Sequence, residues 1–288
     1  MIVAGLHLEQ HLGRVSGPPR SAVAAVTGDG RLRDLRPAGD DDDVLAAIPE
    51  DAALVVVDAP LAIPEGDRRR DAETVLAWCD HAAFPVSRAR MEKVYGGARG
   101  VRLAPALGGA GRAVAEAVPD LVLRQLAWER EHPAGAPPLD LAEYRARWLA
   151  VRAPAFRPRG GGRARPAGIH EARALLAAVL DLAGWEPEED GGDWAAIRDA
   201  ARVDALACAY AGVRHLRGGG SVALGAPDRG LVLVPADANL AGRIALHVER
   251  LRAEAARTRA QGVGAESAGG DTPLRPPSIG GLGQHGEG

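Results

Sequence analysis

The chain has 288 residues, which allows one large domain or two modest ones with a real hydrophobic core and excludes a disulfide-stapled miniprotein. The 47% hydrophobic content argues against general disorder, while the net charge of −3 provides no overall basic surface, so nucleic-acid binding would need a local patch. No apolar run reaches the roughly 18 residues of a membrane-spanning helix. The N-terminus lacks the basic region and the cleavage site that are typical of signal peptides. We therefore expect a cytoplasmic protein with no membrane partner.

Short runs rich in β-branched residues predict the strands. The first three form a meander, because 28–30 supplies a Gly-Asp-Gly turn between the second and the third. The fourth run is uninterrupted and apolar, which is typical of a central strand covered on both faces. The predicted strands are 2–8, 21–27, 31–35, 51–58, 112–118, 221–224 and 230–234.

Helical periodicity dominates the rest of the chain. An acidic cluster at 40–43 precedes a short apolar segment, and carboxylates at a helix N-terminus are favoured by its unpaired amides and dipole. Residues 262–288 contain too few large apolar side chains to offset the entropy of ordering, so we predict a disordered tail. The predicted helices are 44–48, 69–81, 87–94, 120–131, 139–151, 166–183, 193–216 and 237–261.

Asp58 is the strongest single indication of a functional site. It ends an otherwise apolar strand and is followed directly by Ala59 and Pro60. In open α/β sheets, ligands bind beyond the carboxyl ends of the strands, and a buried carboxylate without a partner is costly. Asp58 is therefore either a site residue or a cap for the following turn, and the residues alone leave both readings open.

Two further acids lie on predicted core elements. Asp204 is flanked by apolar residues on the long helix at 193–216, where an inward carboxylate needs a metal or a cation; a salt bridge to Arg202 or Arg198 is the ordinary alternative. Glu116 lies on the predicted strand at 112–118. Together with Asp58, these acids could form the oxygen cage that Mg²⁺ or Mn²⁺ prefers, and such metals clamp phosphoryl displacement.

Several blocks of the chain resemble the family called domain of unknown function 429, whose members are predicted ribonuclease H-like nucleases. The resemblance spans about residues 1–236, and the blocks agree with the family in order. They are VVVDAPLAIP at 55–64 followed by Gly66, Arg69 and Asp71, AEAVP at 115–119, DALACA at 204–209 and GLVLVP at 230–235.

The resemblance implies an α/β fold of the ribonuclease H-like type, with a mixed five-stranded sheet flanked by helices and its second strand antiparallel. It implies one such domain at 1–261 with a helical insertion around 120–184. It also implies that Asp58, Glu116 and Asp204 are catalytic residues that bind a divalent metal, Mg²⁺ or Mn²⁺.

One position departs from the family pattern. The first strand of the family carries Gly-Val-Asp, whereas this chain has GLH at 5–7. His7 can bind a transition metal but cannot supply the anionic oxygen that Mg²⁺ favours. The metal preference is therefore shifted or the activity is lost, unless Glu9, which alternates onto the same strand face, replaces the missing Asp.

Arginines downstream of Asp58 are candidates for binding substrate phosphates, since guanidinium groups form charge-assisted pairs with them. We single out Arg69, Arg70 and Arg88 as substrate-binding residues. Because Lys93 is the only lysine, the arginine content reflects a general bias of composition, and an ordinary solvated helix face is the competing reading.

The first functional hypothesis is a metal-dependent nuclease that hydrolyses phosphodiester bonds in nucleic acid, with Asp58, Glu116, Asp204 and His7 at the metal. The second is a catalytically inactive ribonuclease H-like protein that binds nucleic acid or a protein partner. The third is an actin-like or sugar-kinase-like ATPase, which the absence of a glycine-rich phosphate loop between the first two strands disfavours.

Overall fold

The computed structural model shows a mixed α/β architecture built on one seven-stranded sheet. The chain divides after His247 into two units, and the sheet lies in the unit Met1–His247. The described residues are 1–9, 20–64, 69–81, 87–133, 139–157, 165–188 and 192–267, of which 110 and 261–267 are described by their backbone only.

The seven segments with strand-like patterns all form strands of this sheet. In spatial order the strands run β3-β2-β1-β4-β5-β7-β6. Their bounds are β1 Ile2–His7, β2 Ser21–Thr27, β3 Leu32–Ala38, β4 Ala52–Val57, β5 Ala113–Ala117, β6 Ser221–Ala226 and β7 Gly230–Pro235.

The sheet is mixed, and its second strand is antiparallel to the first, as predicted. Strands β1, β2 and β3 form the antiparallel meander, while β1, β4, β5 and β7 are parallel neighbours. The prediction of five strands is wrong, because β7 pairs with β5 and carries its antiparallel partner β6 into the same sheet. Only the pairing of distant segments reveals this extension.

The helices occupy most of the predicted positions. Asp40 caps α1, since its side chain accepts a hydrogen bond from the backbone N–H of Asp43. Among the described residues, no helix is both long enough and apolar enough to cross a membrane. The helices are α1 Asp41–Ala47, α2 Asp71–Trp78, α3 Arg88–Tyr95, α4 Arg99–Leu107, α5 Pro119–Glu131, α6 Leu141–Ala150, α7 Pro166–Ala177, α8 Gly192–Leu216 and α9 Ala238–Ser267.

Three helices depart most from the predictions. Helix α4 was not predicted, because Pro105 lies within it and glycines surround it. Helix α7 ends at Ala177, six residues before the predicted end, and α9 continues to Ser267 inside the segment predicted to be a tail. The rest of that segment, 268–288, lies outside the described residues.

The two faces of the central strands pack against different helices. Alternate side chains of β1 and β4, including Leu6 and Val57, belong to a hydrophobic cluster that also contains Leu103 and Leu107 of α4. Because successive strand residues point to opposite faces, the intervening side chains must face the other side. That side is covered by α8, a helix whose middle is buried all round.

Helix α8 approaches β1 so closely that only glycine fits at the contact. A Cβ atom on Gly5 would lie 2.1 Å from the carbonyl oxygen of Ala205 and 2.2 Å from the amide nitrogen of Ala209. Further along the same helix, a Cβ atom on Gly212 would lie 2.6 Å from Cγ1 of Val3. These close contacts at Gly5 and Gly212 determine how far α8 lies from the sheet and which of its residues stand over the end of β1.

Replacing Gly5 with alanine should therefore destabilise the protein, because the added methyl group meets backbone atoms that cannot rotate away. We expect Gly5→Ala to lower the free energy of unfolding by about 3 kcal/mol, measured by urea denaturation. Gly219→Ala is the matched control, since nothing lies within 4 Å of its Cβ position, and its effect should stay within about 0.5 kcal/mol. Equal stability of the two variants would contradict the close approach.

Candidate metal centre

His7 and Asp58 meet where two neighbouring parallel strands end. The last register pair between β1 and β4 is Leu6 with Val57. His7 directly follows Leu6, and Asp58 directly follows Val57. The backbone N–H of Asp58 still donates to the carbonyl oxygen of Leu6 at 3.1 Å, so the pairing continues to this point. Leu6 and Val57 face the α4 side, and alternation therefore directs His7 and Asp58 towards α8.

Asp204 reaches the same place from α8. It precedes Ala205, the residue whose carbonyl oxygen lies against Gly5, and its side chain is only 1% exposed. One possible ligand atom from each of His7, Asp58 and Asp204 falls within 4.8 Å of the others. The structure thus brings together three side chains that are far apart in the sequence.

Hydrogen bonds orient the group. The imidazole Nδ1 of His7 contacts Oδ2 of Asp58 in a short hydrogen-bonded ion pair and lies 3.5 Å from Oδ2 of Asp204. The other oxygen of Asp58 accepts a hydrogen bond of 2.9 Å from the backbone N–H of Leu8. Both oxygens of Asp58 therefore have defined partners, which holds the carboxylate at the edge of the sheet.

Arg157 is the fourth member of this group. Its guanidinium donates to both oxygens of Asp204, with Nε at 2.8 Å from Oδ2 and Nη2 on Oδ1. A further hydrogen bond runs from Nη1 to Asp120 in the first turn of α5. Two carboxylates of the group are thus balanced by two cationic partners, His7 and Arg157.

The pKa values follow from this charge arrangement. Burial alone would lower the pKa of His7, but the charge and hydrogen bond of Asp58, with a contribution from Asp204, raise the pKa to about 9. Burial raises the pKa of Asp204, against the opposing effects of Arg157 and His7. The pKa of Arg157 rises above its usual value, because the nearby carboxylates outweigh its burial. In the absence of metal, His7 is therefore cationic at neutral pH.

Glu116 does not belong to this group. It pairs in register with Val57 and so points to the same face as Val57, opposite to the face covered by α8. There its Oε1 accepts hydrogen bonds from the Leu61 backbone N–H at 2.8 Å and from Arg70 Nη1 at 2.7 Å. Burial raises the pKa of this carboxyl although Arg70 opposes the shift. The structure therefore brings together two of the three predicted acids, Asp58 and Asp204, with His7.

The predicted phosphate-binding arginines fall into two classes. Arg70 is buried and held by Glu116 and Glu73, which makes it part of the structural support of the segment after β4. Arg69 and Arg88 are exposed, as a substrate-binding role requires. Glu9, considered as a replacement for the missing first Asp, is not among the three residues whose ligand atoms converge.

Sequence reasoning missed Arg157 and its contact with Asp120. It did anticipate that Asp204 needs a cation or a metal, but the suggested partners, Arg198 and Arg202, are engaged elsewhere, and both contact Glu188. Arg157 comes from a segment 47 residues before Asp204 in the chain. No local pattern indicates such a pair; the only signal is the buried acid itself.

The raised pKa of His7 predicts a specific pH dependence in metal-free protein. A folded-state pKa above the unfolded value of 6.5 means that the ion pair stabilises the fold fully below pH 6.5 and loses this effect as the pH rises through about 9. We expect an NMR titration to place His7 near pH 9 and Asp58→Asn to lower that value. His81, whose pKa burial lowers to about 4, is the internal control. A His7 midpoint near 6.5 would contradict the pair.

Comparisons of this chain with protein-family models, with curated proteins and with solved structures found no match. The resemblance between its sequence blocks and a nuclease-like family therefore stays a prediction. The side chains that the fold brings together at the ends of β1 and β4 are the main indication of function.

Proposed function

We propose that this chain is a divalent-metal-dependent phosphodiester hydrolase that acts on nucleic acid and has a ribonuclease H-like fold. The convergence of His7, Asp58 and Asp204 at one edge of the sheet carries the proposal. The antiparallel β2 beside the parallel strands β1, β4 and β5 supports the proposed fold type. The position of the group, beyond the carboxyl ends of parallel strands, is the usual place for a ligand in such sheets.

The donor set suits a transition metal better than Mg²⁺. His7 offers a nitrogen, and Asp58 and Asp204 offer carboxylate oxygens; a mixed set of this kind fits Mn²⁺, Fe²⁺ or Zn²⁺, whereas Mg²⁺ prefers oxygen alone. Three protein ligands are also the number found at catalytic zinc sites, where further positions remain for water and substrate. Of the two metals expected from the sequence, the donor set therefore favours Mn²⁺.

The remaining chemistry belongs to the residues of the chain. A bound metal would polarise a phosphate oxygen and lower the pKa of a water molecule. The backbone N–H of Leu8 donates to Oδ1 of Asp58 and so orients this carboxylate, as hydrogen bonds to metal ligands commonly do. The exposed Arg69 and Arg88 supply positive charge for the phosphate backbone of a nucleic acid, which fixes position without reading sequence.

A second candidate function is binding without hydrolysis. It is favoured by the pairing of each carboxylate of the group with a cation of the chain, Asp58 with His7 and Asp204 with Arg157. A site that is already neutralised in this way is stable without a metal. In this case the protein binds nucleic acid or a protein partner through the same edge of the sheet.

Metal-dependent cleavage separates the two candidates. With Mn²⁺ and labelled single-stranded, duplex and branched DNA and RNA, we expect cleavage that Asp58→Asn reduces by more than about 100-fold, since one ligand and the partner of His7 are lost. Asp51→Asn is the matched control, because this exposed acid lies just before the other end of β4, away from the group, and its variant should cleave like the wild type.

Two other results of this experiment would reject hydrolysis. Salt-sensitive nucleic-acid binding by a protein that cleaves none of these substrates with Mn²⁺ would reject hydrolysis and favour the binding function. Stabilisation against heat by ATP, with no effect of nucleic acid, would contradict both.

Exchanging the nitrogen ligand for a carboxylate should change the metal preference. In His7→Asp, three carboxylates converge, so we expect Mg²⁺ to support cleavage and to raise the melting temperature more than it does in the wild type. His170→Asp, which makes the same change at an exposed position of α7, should respond to Mg²⁺ as the wild type does. An unchanged response of His7→Asp would argue that His7 is not a metal ligand.

A further inference from the structure

Arg157 occupies the side of Asp204 that a metal would need. Its fork of N–H groups takes both carboxylate oxygens of Asp204, including Oδ2, the oxygen that also faces His7 at 3.5 Å. Each carboxylate oxygen has two lone pairs, and the fork uses one on each, so a metal that chelates both oxygens of Asp204 has to displace the arginine. In the structure, Asp204 is therefore paired with Arg157 through both of its oxygens.

The position of Arg157 is well defined on both sides. Phe156, the preceding residue, is buried, and its carbonyl oxygen accepts a hydrogen bond of 3.1 Å from the backbone N–H of Arg165. The Arg157 side chain is 33% exposed and reaches from the surface, where it contacts Asp120, to the buried Asp204. The backbone beside Arg157 is therefore anchored by Phe156, while the guanidinium borders solvent on its Asp120 side.

Burial makes this contact energetically important. Asp204 is 1% exposed, and an ionised carboxylate in such a place requires a compensating cation. Arg157 and a divalent metal are two cations that can meet the same requirement. They repel each other at this short range, and a metal that chelates both oxygens needs the lone pairs that the guanidinium uses. Arg157, which belongs to the chain, and a metal ion from solution can therefore compete to compensate the charge of Asp204.

We propose that Arg157 is an internal competitor for the metal site: it holds Asp204 in the metal-free protein, and metal binds only when the guanidinium leaves that carboxylate. This inference rests on the proposed function, since it assumes that His7, Asp58 and Asp204 bind a divalent cation. It adds a regulatory property to that site. The affinity for metal is reduced by the fraction of molecules in which Arg157 occupies Asp204.

Calorimetric titration of the metal-stripped full-length chain with Mn²⁺ tests the competition. Arg157→Ala should bind Mn²⁺ at least about tenfold more tightly than the wild type, because the competing state is removed. Mn²⁺ should also raise the melting temperature of this variant by more than it raises that of the wild type. Arg198→Ala is the matched control: it removes an arginine ion-paired to Glu188 and should leave Mn²⁺ affinity unchanged.

Two additional variants cover the risk that Arg157→Ala does not fold, since it leaves a buried carboxylate unpaired. Arg157→Lys retains a positive charge but loses the two-pronged fork, and we expect a Mn²⁺ affinity between those of the wild type and the alanine variant. Asp204→Asn removes the contested ligand and should abolish binding in either background.

The outcomes separate this inference from the proposed function. Equal or weaker Mn²⁺ binding by folded Arg157→Ala and Arg157→Lys, with measurable binding by the wild type, overturns the competition and leaves the metal site in place. Absence of Mn²⁺ binding in the wild type and in every folded Arg157 variant overturns both. Tighter binding that persists in Asp204→Asn would also overturn the competition, because the arginine would then act somewhere other than at that carboxylate.

Discussion

The direct contact between the backbones of β1 and α8 is the constraint on which the candidate site depends. Gly5 has no side chain, so the carbonyl oxygen of Ala205 can lie where a Cβ atom would otherwise be. Asp204, the neighbour of Ala205, is thereby placed over the end of β1, where His7 lies. With any other residue at position 5, α8 would have to move away from the sheet, and the carboxylate would move with it.

Charge balance is the second constraint, and it determines which chemistry the site can perform. The group contains two carboxylates, and the chain itself supplies the cations that compensate them, protonated His7 for Asp58 and Arg157 for Asp204. This arrangement makes a folded metal-free state stable, because no buried charge is left alone. A metal that bound as we propose would replace existing interactions, namely the proton on His7 and the pairing of Arg157 with Asp204.

Local patterns predicted most of the secondary structure, including all seven strands, because alternation and β-branched runs act over a few residues. Local patterns did not predict α4, because Pro105 and the surrounding glycines are atypical of a helix. Packing against the sheet stabilises this helix. At the site, the strand-end positions of His7 and Asp58 and the inward position of Asp204 were also predictable. Arg157 was not, because its partner lies 47 residues away and no periodicity connects them.

By itself, the sequence determined which segments become strands and helices and which acids lie on core elements, since these depend on the order of apolar and polar residues along a short stretch. Only the tertiary structure decided which of those acids meet. Asp58 directly follows β4, and Glu116 lies on the neighbouring β5, yet the register that aligns Glu116 with Val57 directs Glu116 to the opposite face of the sheet. Register and helix placement arise from contacts between distant segments, and a shift of one residue would exchange the two faces.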